Sequence, residues 1–229
     1  MASPHFGPEL FEFLEDLKQN NDRGWMAENK DRYEAFVKAP MVRFIEDLAP
    51  RLEKISPRFV ADPRANGGSM FRIHRDTRFS KDKSPYKTQA SAQFRHEAGK
   101  DVHAPGFYLH LEPDNVFFGV GIYHPKPAIA QTLREAIVER PGVWKKATRS
   151  KAFTSRFVLD GEVLKRRPKS LPEDHPFAED LLRKDFIAVQ ELDPATAVDA
   201  RFLSTFVASC RAASGFMRFL TEALDLEWD

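Results

Sequence analysis

The chain has 229 residues, which suits one large domain or two small ones. At 42% hydrophobic and 30% charged it is too apolar for disorder, and a formal net charge of +1 excludes a globally basic surface, so any anion site must be local. One cysteine, Cys210, excludes an intramolecular disulfide and a thiolate zinc site, and fits a reducing compartment.

The first quarter reads as helical. In residues 8–20, Leu10, Phe11, Phe13, Leu14 and Leu17 recur at helical spacing behind a first-turn Pro8. A stop follows at Asn20-Asn21-Asp22. Residues 25–37 predict a second helix and residues 40–55 a third, opened by Pro40. Residues 56–68 hold two prolines and two glycines and predict a loop.

The period then changes to two. Residues 69–74 and 89–96 predict strands, and residues 106–112 and 115–123 predict a β-hairpin around Pro113-Asp114. That turn sets Leu111 opposite Val116, Leu109 opposite Phe118 and Phe107 opposite Val120, all on one core face. The other face carries Tyr108, His110, Glu112, Asn115, Phe117, Gly119, Gly121 and Tyr123. Its two glycines predict a shallow floor beside Tyr108 and His110, or the close approach of another segment.

Helices are expected over residues 126–139, 143–153 and 176–184, and short strands over 157–159 and 186–192. Residues 194–224 predict one or two terminal helices with a break at Ser214-Gly215, and Cys210 is expected to be buried there. No repeat, low-complexity tract or linker stands out. The expected fold is one α+β domain over residues 1–229, a mostly antiparallel sheet packed by N-terminal and C-terminal helices. With 20 Phe against 4 Tyr and 3 Trp, phenylalanine should carry much of the core. The N-terminus lacks the basic start and apolar stretch of a secretory leader, and the best apolar run, 202–220, is interrupted by Arg211 and Arg218. A cytoplasmic protein with no membrane partner is therefore expected.

Candidate chemistry centres on FRIHRDTRFSKDKSPYKT, residues 71–88. Arg72, Arg75, Arg78, Lys81, Lys83 and Lys87 face only Asp76 and Asp82, giving residues 72–87 a net charge of +4. Arginine forks match the paired oxygens of phosphate and carboxylate groups. Asp76 and Asp82 would each hold one cation and leave the others for a ligand. The expected ligand set is Arg72, Arg75, Arg78, Asp82, Lys83, Lys87 and Tyr108. Proton transfer is assigned to His110, Asp76 and Tyr86. A salt-bridge network that merely orders a loop would produce the same composition.

Histidines 74, 96, 103, 110 and 124 fall in the sheet region; His110 and Glu112 share a strand face, but there is no HExxH, HxH or Cys–His set, so no metal ligand is assigned and a metal beside that pair stays open. No cofactor is named by any motif: GxxxxGK[ST], GxGxxG and GxSxG are all missing. Asn66-Gly67-Gly68-Ser69 could offer backbone N–H groups to an anion.

The string Arg72-x-x-Arg75-Asp76-x-Arg78-Phe79, then Asp82-Lys83-x-x-Tyr86, resembles the signature of the domain of unknown function 2461 family. The likeness extends to FEFLEDLKQNNDRGWM, KDRYEAFVKAPM and PGFYLHLEPDNVFFGVGIYHP, nearly the whole chain. It implies no activity; it implies that the motif residues are where a site should lie. Three functions stay open. The first is a small-anion-binding protein, as an enzyme on a phosphorylated or carboxylated metabolite. The second is a nucleic-acid-binding module, with Phe71, Phe79 and Tyr86 interleaving the cations. The third is a non-catalytic module that docks an acidic partner. Nothing in the sequence addresses the oligomeric state.

Overall fold

The computed structural model describes residues 3–64, 67–99 and 104–229; Asn66 of the glycine turn and His103 lie outside them. The architecture is α+β, built on a five-stranded antiparallel sheet.

The chain opens with α1 (Glu9–Gln19), whose Leu10, Phe13, Leu14 and Leu17 are buried on one stripe. Asp22 caps α2 (Arg23–Glu28), accepting from the N–H groups of Gly24 and Trp25. The helix expected over 25–37 is interrupted. It continues as α3 (Lys30–Tyr33) and a π-helical turn, Glu34–Lys38, that runs into α4 (Ala39–Leu52). Pro40 lacks an N–H and would crowd the carbonyl four residues back, and the wider turn just before it relieves both.

The sheet comprises β1 (Ala90–Arg95), β2 (Gly106–Glu112), β3 (Asn115–Ile122), β4 (Val158–Asp160) and β5 (Phe186–Leu192), ordered β1-β2-β3-β5-β4. The β2–β3 register pairs Leu111 with Val116, Leu109 with Phe118 and Phe107 with Val120, as period two and the Pro113-Asp114 turn require. All six side chains are buried. The expected strand over 69–74 is only two isolated bridges, Met70–Ala92 and His74–Tyr86. This segment changes partner midway. Phe71 N–H donates to Ser91 C=O on β1 at 2.9 Å, whereas Arg75 N–H donates to Pro85 C=O at 2.9 Å. A chain that switches partners cannot build a continuous ladder.

Beyond the hairpin come α5 (Pro127–Glu139), α6 (Pro141–Arg149), α7 (Lys151–Thr154), α8 (Pro194–Ala197) and α9 (Phe202–Glu222). The helix expected over 143–153 is divided at the extended Ser150. Residues 176–184 keep only a single 3₁₀ turn, Asp180–Leu182, because Asp180 is recruited by Trp144, Arg149 and Arg183. No break occurs at Ser214-Gly215, which lie within α9. Gly215 faces α6 there: an added Cβ would lie 3.8 Å from Ala147 Cα.

Phenylalanine does dominate the core. Phe206 of α9 meets Phe118 edge-to-face at 4.6 Å and Phe94 of β1 at 5.7 Å, while Phe44 of α4 packs on Phe202 at 5.6 Å. The terminal helices thus seal the Phe107–Leu109–Leu111 face. Cys210 is buried in α9, and burial pushes its thiol up. Among the described residues no helix is long and apolar enough to cross a membrane.

Candidate functional site

Residues 72–87 form a projecting loop closed at its base by the His74–Tyr86 bridge. Lys87 N–H donates to Ile73 C=O at 2.8 Å, so the base is a short antiparallel ladder. Asn21, in the turn after α1, clamps it from outside. Its amide N–H donates to Tyr86 C=O and its carbonyl accepts from Tyr86 N–H, each at 3.0 Å. Sequence reasoning missed Asn21, because its partner lies 65 residues away.

Within the loop, both aspartates hold arginines. Arg78 forks onto Asp76, with Nε–Oδ1 at 2.9 Å and a second bond at 2.7 Å to Oδ2. Arg75 pairs with Asp82, which also accepts from the N–H and hydroxyl of Ser84 at 2.9 and 2.6 Å. The Ser84 bonds and the Arg75 guanidinium hold the Asp82 carboxyl well below the usual range, and Arg78 does the same for Asp76. Lys83 donates to Thr77 C=O at 2.9 Å. Arg75, Arg78 and Lys83 are thus engaged within the loop. Phe79 stands at its tip, 95% exposed, with the Arg78 guanidinium 5.8 Å from the ring centroid.

Arg72 and Lys87 differ from these. Among the described residues neither is hydrogen-bonded to a carboxylate. The Lys87 ammonium lies 5.0 Å over the Phe71 ring. Burial, and then the positive charge of Arg72, lower its pKa. A cleft of about 420 Å³, lined by Arg75, Asp76, Tyr86, Lys87, Thr88 and Gln89, opens beside it.

The opposite sheet face meets this cleft through Thr88. The Thr88 hydroxyl donates to Glu112 Oε1 at 2.8 Å. Glu112 Oε2 lies 3.4 Å from His110 Nε2, and His110 Nδ1 lies 3.1 Å from the Tyr108 hydroxyl. His110 is 8% exposed, and its imidazole stacks on Phe117 at 4.6 Å and 15°. Burial lowers its pKa against the opposing pull of Glu112, which favours the neutral ring. A neutral ring between a carboxylate and a phenol takes one tautomer by hydrogen-bond logic. Its Nε2–H donates to Glu112, and its Nδ1 accepts from Tyr108 O–H. Burial raises the Tyr108 pKa, opposed by a hydrogen bond from the buried Ser91 hydroxyl.

The glycine floor expected on this face is not open. The Tyr108 ring covers Gly119, where an added Cβ would lie 3.5 Å from Tyr108 Cδ1. Gly121 has φ +115°, and a Cβ there would fall 2.0 Å from Phe186 C=O, so the approaching segment is β5 itself. Tyr86 is 6% exposed, its ring 5.1 Å from His74 in the loop base. The structure therefore divides the expected set in two. Asp76, Arg75, Arg78, Asp82 and Lys83 knit the loop, whereas Tyr108 and His110 form a chain with Glu112, Thr88 and Ser91. His110 and Glu112 spend their facing atoms on each other, and no group of three His, Cys, Asp or Glu among the described residues is arranged for a metal ion.

Residues 9–219 match the family described as "Conserved hypothetical protein (DUF2461)". The chain belongs to that family. The DUF2461 match spans α1 to α9, so the loop, its Asn21 clamp and the Tyr108 chain all lie within the family's domain. No curated protein and no solved structure matches the chain.

Proposed function

We propose that this protein binds a small phosphate- or carboxylate-bearing molecule at the cleft beside Lys87 and acts on it by acid–base chemistry. The observation that carries the reading is the Lys87 ammonium on the cleft wall, over the Phe71 ring and with no carboxylate hydrogen-bonded to it among the described residues, while the charge of Arg72 is near enough to lower its pKa. An anion in the cleft would offset the positive charge that Lys87 presents there. Thr88 links the cleft wall to Glu112, and so to the neutral His110 and the Tyr108 phenol. Groups able to hold a charge thus adjoin groups able to move a proton. The single buried Cys210 is compatible with a cytoplasmic, reducing setting.

Thermal melts with inorganic phosphate, pyrophosphate and dicarboxylates, at low and high salt, test this. A ligand at about 100 times its Kd adds about 2.7 kcal/mol to the folded state. The expected result is a salt-tolerant rise in Tm that Arg72→Ala and Lys87→Ala remove. No rise with any small anion would overturn the reading. A second reading, single-stranded nucleic acid, is favoured by Phe79, exposed beside Arg78, Lys81 and Lys83. It requires oligonucleotide binding that weakens steeply with salt and falls in Phe79→Ala.

A further inference from the structure

The chain Thr88–Glu112–His110–Tyr108 has a direction. Glu112 is held by Thr88 on one side and accepts from His110 on the other, which fixes the imidazole tautomer and leaves Nδ1 with a lone pair aimed at the phenol. The stacked Phe117 ring holds the imidazole plane. Tyr108 is the member whose hydroxyl faces the imidazole, and it is partly exposed on the sheet face, whereas Ser91 beside it is 2% exposed and the Thr88 hydroxyl is spent on Glu112. Carboxylate, imidazole and hydroxyl stand in the order that activates an oxygen nucleophile. The Phe71 ring touches both ends of the site, with the Lys87 ammonium above it and the Tyr108 ring against it at 6.1 Å. A ligand whose anionic group sits at Lys87 would reach Tyr108 with its other end.

We propose that Tyr108 is a nucleophile and that the substrates are small carboxylic esters carrying an anionic group. The Tyr108 oxygen bonds to the ester carbonyl carbon while its proton passes to His110 Nδ1. The bond from carbon to the leaving oxygen then breaks, and that oxygen takes the proton from the imidazolium. Water, deprotonated by His110, releases the acyl group and restores the phenol. Glu112 and Thr88 are positioning residues. The anionic part of this inference rests on the binding reading above; the activation of Tyr108 does not.

The test is labelling of the intact protein with a neutral aryl sulfonyl fluoride, followed by peptide mass spectrometry. Here the tyrosine oxygen bonds to sulfur, fluoride leaves, and the phenol proton passes through His110. The molecule supplies its own controls. Tyr123 is 66% exposed but outside the chain, and Tyr86 is 6% exposed. Tyr108 should be modified at least about tenfold faster than Tyr123, the equivalent of 1.4 kcal/mol in barrier. Glu112→Gln keeps the bond from Thr88 but offers His110 Nε2 an N–H, which moves the ring proton to Nδ1 and removes the base facing Tyr108. That variant should lose the labelling while melting within a few degrees of the parent. Faster modification of Tyr123, or full labelling in Glu112→Gln, overturns the proposal. Calorimetry with inorganic phosphate separates the two inferences. Tyr108→Phe should still bind phosphate, and Arg72→Ala should still be labelled. A wild type that is labelled at Tyr108 but binds no phosphate would leave the nucleophile standing and remove the anionic handle.

Discussion

Asn21→Ala tests how the basic loop is anchored. Tyr86 faces His74 across an antiparallel bridge whose two hydrogen bonds come from the neighbours, Arg75 N–H to Pro85 C=O and Lys87 N–H to Ile73 C=O. In such a pair the N–H and C=O of Tyr86 point away from His74. Asn21 satisfies both, at 3.0 Å each, as a one-residue substitute for a neighbouring strand. Removing it orphans one donor and one acceptor in a partly buried position. At a net value near 1 kcal/mol per bond, with some compensation by water, the cost is about 1–2 kcal/mol. For a chain of this size that is a fall in Tm of about 2–8 °C. Urea unfolding followed by circular dichroism gives the free energy, and limited trypsin digestion at Arg78, Lys81 and Lys83 reports loosening of the loop. A variant within about 0.5 kcal/mol of the parent would refute the clamp. A fall in stability without faster cleavage in the loop would show that Asn21 stabilises the fold but does not anchor the loop.

Phe118→Ala should cost about 3–5 kcal/mol by urea unfolding, because Phe118 is 2% exposed and packs on Phe206 and Phe202. Gly121→Ala should cost more than about 3 kcal/mol, since the new methyl meets Phe186 C=O at a positive φ; a variant that melts with the parent would show that β3 and β5 are not so closely joined. Phe79→Ser should leave stability within about 0.5 kcal/mol, because the ring is 95% exposed. The folded-state pKa of His110 lies below its ordinary 6.5, so the unfolded chain binds the proton more readily. Stability should therefore fall as pH drops through about 6.5 towards the folded value, and His110→Gln should flatten that slope in urea titrations between pH 7 and 5. An unchanged slope would mean that His110 is not buried as described.

What the sequence by itself determined was local. Helical spacing of Leu10, Phe13, Leu14 and Leu17 reads directly as α1, and period two with Pro113-Asp114 reads as the register of the β2–β3 hairpin. These patterns are legible because each residue's neighbours lie a few positions away, where backbone geometry alone dictates which side chains share a face. The same rule brought Tyr108, His110 and Glu112 together on one strand. Only the tertiary structure decided what meets that face. Ser91 and Thr88 join the chain through the pairing of β1 with β2, which no local signal specifies. The failed strand at 69–74, the closed glycine floor and the Asn21 clamp share that cause, since each depends on a segment tens of residues distant. Residue counts in the basic loop could say that two carboxylates would hold two cations. Which two, and that Lys87 was left on the cleft wall over the Phe71 ring, followed from a loop whose ends had first to be brought together by the fold.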